Sequence, residues 1–367
     1  MELRLTNDFM KIVLDETPLI DVRAPIEFIK GSFKNSVNLP ILSDKERELV
    51  GTTYKQEGSE QAMSLGYELV SGEVKQARIE SWKKELDASP DALIYCFRGG
   101  SRSRITQEWL KEECGIDRPR LEGGYKAFRN FLIDAMTTDY LKIKPIILGG
   151  YTGSGKTIML KPFKNFIDLE KIANHRGSSF GKHVSPQPTT INFENNLAYE
   201  LIQKQENGYK HMLLEDEGRH VGTCYLPKEL HEYINTGSLV IVDVPLEKRI
   251  EITLDEYVRA AQEEYIKDRG SDEEGYKAWY EYIYSSMARL KQKLGDEKLR
   301  SLLKMLEDAF TMQMKTDDVS LHRSWIGLFL KDYYDAMYQY QIDNNVKDII
   351  FRGNEKEVSE FLSSMEN

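Results

Sequence analysis

Ala92-Leu93-Ile94-Tyr95-Cys96-Phe97-Arg98-Gly99-Gly100-Ser101-Arg102-Ser103 decides how the first third of the chain is read. The apolar run Leu93-Ile94-Tyr95 predicts a buried strand ending at Cys96. A helical pattern begins near Ser103, so the residues between form a tight strand-to-helix loop. Gly99 and Gly100 let backbone N–H groups turn toward the sulfur. Arg98 and Arg102 add positive charge, and the helix N-terminus adds its own partial charge. All three stabilise a thiolate, the reactive form of cysteine. Cys96, Arg98 and Arg102 are therefore candidate catalytic residues. The alternative is an inert, buried structural cysteine.

Outward from this loop, strand-like runs at Pro18-Leu19-Ile20 and Ser36–Pro40 alternate with helical patterns. That alternation predicts a small α/β domain with a parallel sheet. In open sheets of this kind the chemistry sits beyond the carboxyl ends of the strands, where Cys96 falls. With Ile20-Asp21-Val22-Arg23, Glu27, Gly31 and Leu121-Glu122-Gly123-Gly124-Tyr125, the segment resembles the rhodanese family. The resemblance implies that Cys96 carries sulfur or selenium, cradled by the loop amides from Phe97 to Ser103. Asp21 and Arg23 either join that site or pair to brace the loop.

A second motif follows the strand-like Lys144–Gly149. Gly150-Tyr151-Thr152-Gly153-Ser154-Gly155-Lys156-Thr157 satisfies the phosphate-loop pattern in full, with a helical pattern after it. Gly150, Gly153, Ser154 and Gly155 shape a loop whose amides point at phosphate oxygens. Lys156 supplies a point charge, and the Thr157 hydroxyl can ligate Mg²⁺. An acidic partner is expected at a neighbouring strand end. Met212-Leu213-Leu214 runs into Glu215-Asp216-Glu217, and Leu239–Val242 runs into Asp243. The triple cluster is favoured, because adjacent carboxylates are costly without a cation or basic groups. Thr157, Glu215, Asp216 and Glu217 are thus the expected Mg²⁺ ligands. The polar segment Asn174-His175-Arg176-Gly177-Ser178-Ser179 has the composition of a substrate-binding loop. In it Asn174, Ser178 and Ser179 offer hydrogen bonds, and Arg176 is a candidate anion clamp. His175 is a candidate acid or base, or a structural residue.

From Leu246 onward the pattern is helical, with a short strand near Asp348–Phe351 and a last helix near 356–364. Arg289, Lys293, Arg300 and Lys304 form either a basic face or a solvated one. The expected organisation is a rhodanese-like domain over 1–135, as the resemblance implies, a phosphate-loop domain over 136–245, and a helical C-terminal region over 246–367 packed on the latter. The whole reads as α/β. Net charge is -10, which counts against a generally basic nucleic-acid binder but not against a local basic face. The three cysteines form no CxxC pair, and the six histidines lack metal-ligand spacing. The segment Met1–Asp8 has no signal-like apolar core, and no apolar run approaches the roughly 20 residues of a membrane span. A cytoplasmic location is the expectation.

A cysteine-bearing rhodanese-like segment before a phosphate loop, with Ala173–Gly181, Glu215-Asp216-Glu217 and Tyr333-Tyr334-Asp335, resembles the tRNA 2-selenouridine synthase family over nearly the full length. The resemblance implies conversion of wobble (U34) 2-thiouridine into 2-selenouridine in the anticodon region of tRNAs for Lys, Glu or Gln. It implies S-geranylation from geranyl diphosphate, then selenation from selenophosphate with Cys96 as carrier. The phosphate loop then holds a diphosphate rather than driving ATP hydrolysis. Two alternatives remain open on the residues: an ATP-dependent tRNA sulfurtransferase, and a nucleotide-gated carrier module.

Overall fold

The computed structural model describes residues 3–343 and 347–365. The chain divides into two compact α/β units, Met1–Leu141 with Thr189–Glu206, and Lys142–Pro188 with Asn207–Asn367. This differs from the three-part division expected from sequence. The helix Thr190–Glu206 buries Phe193, Leu197, Tyr199 and Ile202 and belongs to the first unit, not to the phosphate-loop segment. Residues 246–367 form no separate region, because their strand joins the second unit's sheet.

In the first unit, β1 (Leu5–Thr6), β2 (Leu19–Asp21), β3 (Ser36–Asn38), β4 (Leu93–Tyr95) and β5 (Arg120–Leu121) form a parallel sheet in the order β1-β5-β4-β2-β3. β4 lies between β5 and β2, which is why Leu93-Ile94-Tyr95 is a continuous apolar run rather than an alternating one. Its core joins Ile20, Ile94, Trp82, Ile105 and Trp109. Trp82 donates its indole N–H to the Leu39 carbonyl at 2.8 Å, which satisfies the polar end of a fully buried ring.

Asp21 and Arg23 take the bracing role. The buried Arg23 guanidinium donates to both Asp21 carboxylate oxygens, to the Gly31 carbonyl at 2.7 Å, and stacks 3.9 Å from the centre of the Tyr125 ring. Burial opposes its charge, but the Asp21 carboxylate outweighs this and raises its pKa. Removing one partner of such a pair costs about 3–5 kcal/mol.

In the second unit, β6 (Lys144–Gly149), β7 (His211–Glu215), β10 (Ser238–Val242) and β11 (Ile349–Gly353) form a parallel sheet in the order β11-β10-β6-β7. A small antiparallel hairpin, β8 (His220–Val221) with β9 (Cys224–Tyr225), stands apart from it. The remaining core is helical and centres on Trp279, Leu306, Trp325 and Phe329. Within it a polar chain is closed. Trp325 donates to His322 Nδ1 at 2.9 Å, His322 Nε2 bonds Gln313 Oε1 at 2.9 Å, and Gln313 and Gln262 exchange amide bonds. Burial lowers the His322 pKa to about 4, so the ring is neutral and its Nε2 carries the proton.

Among the described residues no helix is long and apolar enough to cross a membrane.

The Cys96 loop is locked to the turn after β5 by backbone-on-backbone packing. Tyr125 N–H donates to the Cys96 carbonyl at 2.8 Å, and Lys126 N–H to the Phe97 carbonyl at 3.0 Å. Gly99 and Gly124 both have positive φ, and a Cβ on Gly124 would stand 2.3 Å from the Cys96 oxygen. Gly124→Ala should therefore lower stability by about 2–4 kcal/mol, combining left-handed strain with a backbone clash. Denaturant unfolding would measure this, with Gly115→Ala, which meets nothing within 4 Å, as a control for conformation alone.

Candidate functional site

Two sites emerge, one in each unit. In the second unit, β6 delivers the loop Gly150–Lys156 onto a short helix, Lys156–Leu160. Gly153 and Gly155 have φ of +79° and +72°, which turns the loop back on itself. The loop lines a cleft of about 250 Å³ together with Glu170, Arg176, Glu215, Glu217 and Glu256. Lys156 Nζ donates to the Gly150 carbonyl at 3.3 Å, so its charge lies across the loop. Ser154 Oγ and Glu215 Oε1 are buried and have no hydrogen-bond partner. Arg249 holds the loop: its Nε donates to the Thr152 carbonyl at 3.0 Å, and its two terminal guanidinium nitrogens pair with Asp335.

Carboxylate oxygens of Glu170, Glu215 and Glu217 all lie within 4.8 Å of one another. Thr157 Oγ1 donates to Glu170 at 3.3 Å, which ties the hydroxyl to the cluster. Burial, reinforced by Glu215, Glu217 and Glu256, raises the Glu170 pKa to about 9. Burial, and then Glu215, raises that of Glu217 to about 8. Burial also raises those of Glu215 and Glu256, against the opposing pull of Lys156 and Arg176 respectively. Three clustered hard oxygens, a hydroxyl and an orphaned carboxylate oxygen suit a divalent cation such as Mg²⁺. Of the ligands expected from sequence, Thr157, Glu215 and Glu217 meet here. Asp216 turns instead to Lys347, 2.9 Å away, and Glu170 takes its place. Asp243 pairs with Arg352 at 2.7 Å.

The polar segment divides in two. Arg176 and Ser178 line the cleft, and Arg176 also pairs with Glu264. Gly177 presses against the acids: a Cβ there would stand 2.0 Å from Glu170 Oε1 and 2.8 Å from Glu217 Oε1. Asn174, His175 and Ser179 lie outside the cleft lining. Asn174 instead holds Ser185 and Pro186 by side-chain hydrogen bonds. His175 is half-buried, and burial lowers its pKa. Two π-helical turns, Asp255–Ala260 and Leu330–Tyr334, bring Glu256, Tyr257 and Tyr334 to the cleft. Beyond Thr152, Ser178, Tyr257 and Tyr334 the wall turns apolar, and a narrow slot opens against Phe180, Trp325 and Phe329.

In the first unit, Cys96 leaves the end of β4 and is buried. Its Sγ stands 3.2 Å from Ser103 Oγ, on the first turn of the helix Ser101–Cys114. Arg102 does not face the sulfur. It forms a two-point pair with Glu27, at 2.5 and 3.2 Å. Arg98 is exposed beside the Phe97 ring. Arg120 comes to the same loop from β5 and donates to the Gly99 carbonyl. Burial lowers its pKa, and the Cys96 sulfur works against that shift.

The profile of the tRNA 2-selenouridine synthase AAA domain matches residues 143–367. A tRNA 2-selenouridine synthase of Sulfurovum sp. (strain NBC37-1) is 51% identical over 361 residues, 98% of each chain. Those of Shewanella frigidimarina (strain NCIMB 400) and Pseudomonas aeruginosa (strain LESB58) are 43% and 44% identical, covering 97% of this chain and 97% and 96% of theirs. The chain belongs to the tRNA 2-selenouridine synthase family.

For this tRNA 2-selenouridine synthase family member, the residues missed by sequence reading are Glu170, Glu256, Arg120, Arg249 and Asp335. Asp335 was visible only within a family motif. Glu170 carried a usable signal, because it opens a short capped helix just ahead of the polar segment.

The raised carboxylate pKa values fix a pH dependence. Between the ordinary value of 4.5 and about 8 to 9, the folded protein binds protons that the unfolded chain has released. That stabilisation is whole below 4.5 and is lost as pH rises through the window. A divalent cation competes for the same oxygens, so its own stabilising effect should grow with pH. Thermal unfolding at about pH 6 and about pH 8.5, with and without MgCl₂, should show the larger Mg²⁺ shift at the higher pH. Gly177→Ala, which pushes Glu170 and Glu217 apart, should reduce that shift in the same assay.

Proposed function

We propose that this chain converts wobble 2-thiouridine of tRNA into 2-selenouridine in two steps at two sites. In the second unit, the phosphate loop binds geranyl diphosphate, and the thiouridine sulfur takes the geranyl group. In the first unit, read as rhodanese-like, selenium from selenophosphate is carried on Cys96 and replaces the alkylated sulfur. Family membership and the relatives' printed names support the overall conversion. The parallel sheet and the position of Cys96 beyond β4 support the carrier role.

One observation carries the diphosphate reading: the phosphate cleft and the aromatic slot share Thr152, Ser178, Tyr257 and Tyr334. An isoprenyl diphosphate has this polarity, charged at one end and apolar at the other. The slot measures about 30 Å³, so a ten-carbon chain fits only if packed rings such as Phe329 turn aside.

The residues divide the work. Loop amides and Lys156 hold the phosphates and offset the negative charge that grows as diphosphate leaves. Thr157, Glu170, Glu215 and Glu217 would hold Mg²⁺, which supplies further positive charge when bound. Ser103 Oγ, 3.2 Å from Cys96, is placed to hydrogen-bond the charged chalcogen. Arg120 supplies the nearby positive charge.

Lys156→Ala should lower geranyl transfer by about 100-fold, the cost of losing one charged contact at the departing group. Cys96→Ala should leave geranyl transfer intact and accumulate S-geranyl tRNA. Mass spectrometry of tRNA after incubation with labelled geranyl diphosphate, selenophosphate or ATP separates the readings. ATP hydrolysis coupled to turnover, without geranyl diphosphate binding, would favour the sulfurtransferase reading instead.

A further inference from the structure

The first unit contains a second apolar cavity that the chemistry above leaves unused. It measures about 250 Å³ and adjoins the Cys96 loop, because Ser101 and Arg102 form part of its wall. The rest is almost wholly apolar: Ile41, Val50, Met63, Ile105 and Trp109 among others. Ile105 and Trp109 belong to the same packed core as Cys96. Arg102 stands at the rim with its charge held by Glu27, so the cavity takes in no free cation from it. A cavity of about 150 Å³ with comparable lining binds benzene, so this one can hold a larger hydrocarbon. Apolar surface of this extent beside a reactive loop is stabilised when something covers it.

We propose that this cavity receives the isoprenyl chain of the S-alkylated base during selenation, and so binds the leaving group. The proposal rests on the two-step reading given under Proposed function. In that step the selenide-level selenium of selenophosphate, held at the Cys96 loop, forms the C2–Se bond as the C2–S bond breaks, and water takes the phosphoryl group from selenium, releasing phosphate. Sulfur leaves with the bonding pair and the ten-carbon chain, and takes a proton that the water gives up, as geranyl thiol. That thiol is apolar, and the cavity gives it a dry place beside the carrier loop. The chain in the second unit's slot and the chain here are the same chain at two stages. The alkyl group therefore acts as a handle that seats the base at the carrier as well as a means of activating sulfur.

Gly66 gives the cleanest test. It lies in the helix Ser59–Leu69, lines the cavity, and a Cβ there meets only Val50 Cγ2 at 3.9 Å. Gly66→Phe should fill the space without a backbone clash, and Met63→Trp fills it from a second position. The full-length protein is given selenophosphate and anticodon stem-loops bearing either S-geranyl- or S-methyl-2-thiouridine. Wild-type protein should prefer the geranyl substrate by at least about tenfold in kcat/KM. Both variants should lose most of that preference through a slower geranyl reaction, with the methyl reaction unchanged. Geranyl thiol should also show nuclear Overhauser contacts to the Met63 methyl group in wild-type protein and none in Gly66→Phe. An unaltered preference in both variants, equal loss of both substrates in both, or no contact to Met63 would overturn the proposal. If wild-type protein makes no S-geranyl tRNA from geranyl diphosphate, the two-step reading itself fails. If it does and the variants behave as wild type, only the cavity assignment fails.

Discussion

Gathering carboxylates in a buried place is electrostatically unfavourable, and the second unit is arranged around doing so. Glu170, Glu215, Glu217 and Glu256 arrive from a short helix, a strand end, the residue pair after it and a π-helical turn. Beyond burial, Glu215, Glu217 and Glu256 all raise the pKa of Glu170, and Glu215 also raises those of Glu217 and Glu256, so the group is not held fully charged without a counter-charge. Lys156 offsets part of the repulsion, and protons or a cation must supply the rest. The supporting shell follows from this demand. Gly177 lacks a side chain because two acids already occupy its space. Arg249 and Asp335 pair with each other and hold the phosphate loop by its carbonyl, so that the loop keeps its shape.

The first unit solves a different problem with similar economy. Cys96 is buried, so a charge on its sulfur would need donors and a cation close by. The two glycine turns let backbone meet backbone, which frees the side of the loop facing Ser103. The Asp21–Arg23 pair and Tyr125 hold the underside. Rigid support of this kind places the sulfur without adding groups that would compete for it.

Much of this was legible in the residues. Leu93–Tyr95, Lys144–Gly149, Met212–Glu215 and Leu239–Val242 all form buried parallel strands, as their unbroken apolar runs imply. The phosphate loop and the acids Glu215 and Glu217 were equally plain. Arg102 misled because nearness in sequence is not nearness in direction. Successive helical residues point about 100° apart, so Ser103 faces Cys96 while Arg102 faces Glu27. Glu256 and Tyr257 were hidden because they sit inside a π-helical turn, where the 3.6-residue spacing that assigns helix faces no longer holds. Asp216 was taken for a ligand from its neighbours alone, and the lysine that claims it lies 131 residues away in sequence. The helix Thr190–Glu206 reads as amphipathic wherever it is placed, and nothing local reveals which unit it completes.

That helix has a consequence for biosynthesis. The first unit's core includes Phe193, Tyr199 and Ile202, which emerge from the ribosome only after β6 and the phosphate loop have been made. N-terminal segments generally begin folding during synthesis. Here the leading half must wait, open on one side, until a stretch of the trailing half has passed. A nascent chain halted before residue 206 would expose that unfilled face to chaperones, and a gene cut at residue 141 would encode an unfinished domain.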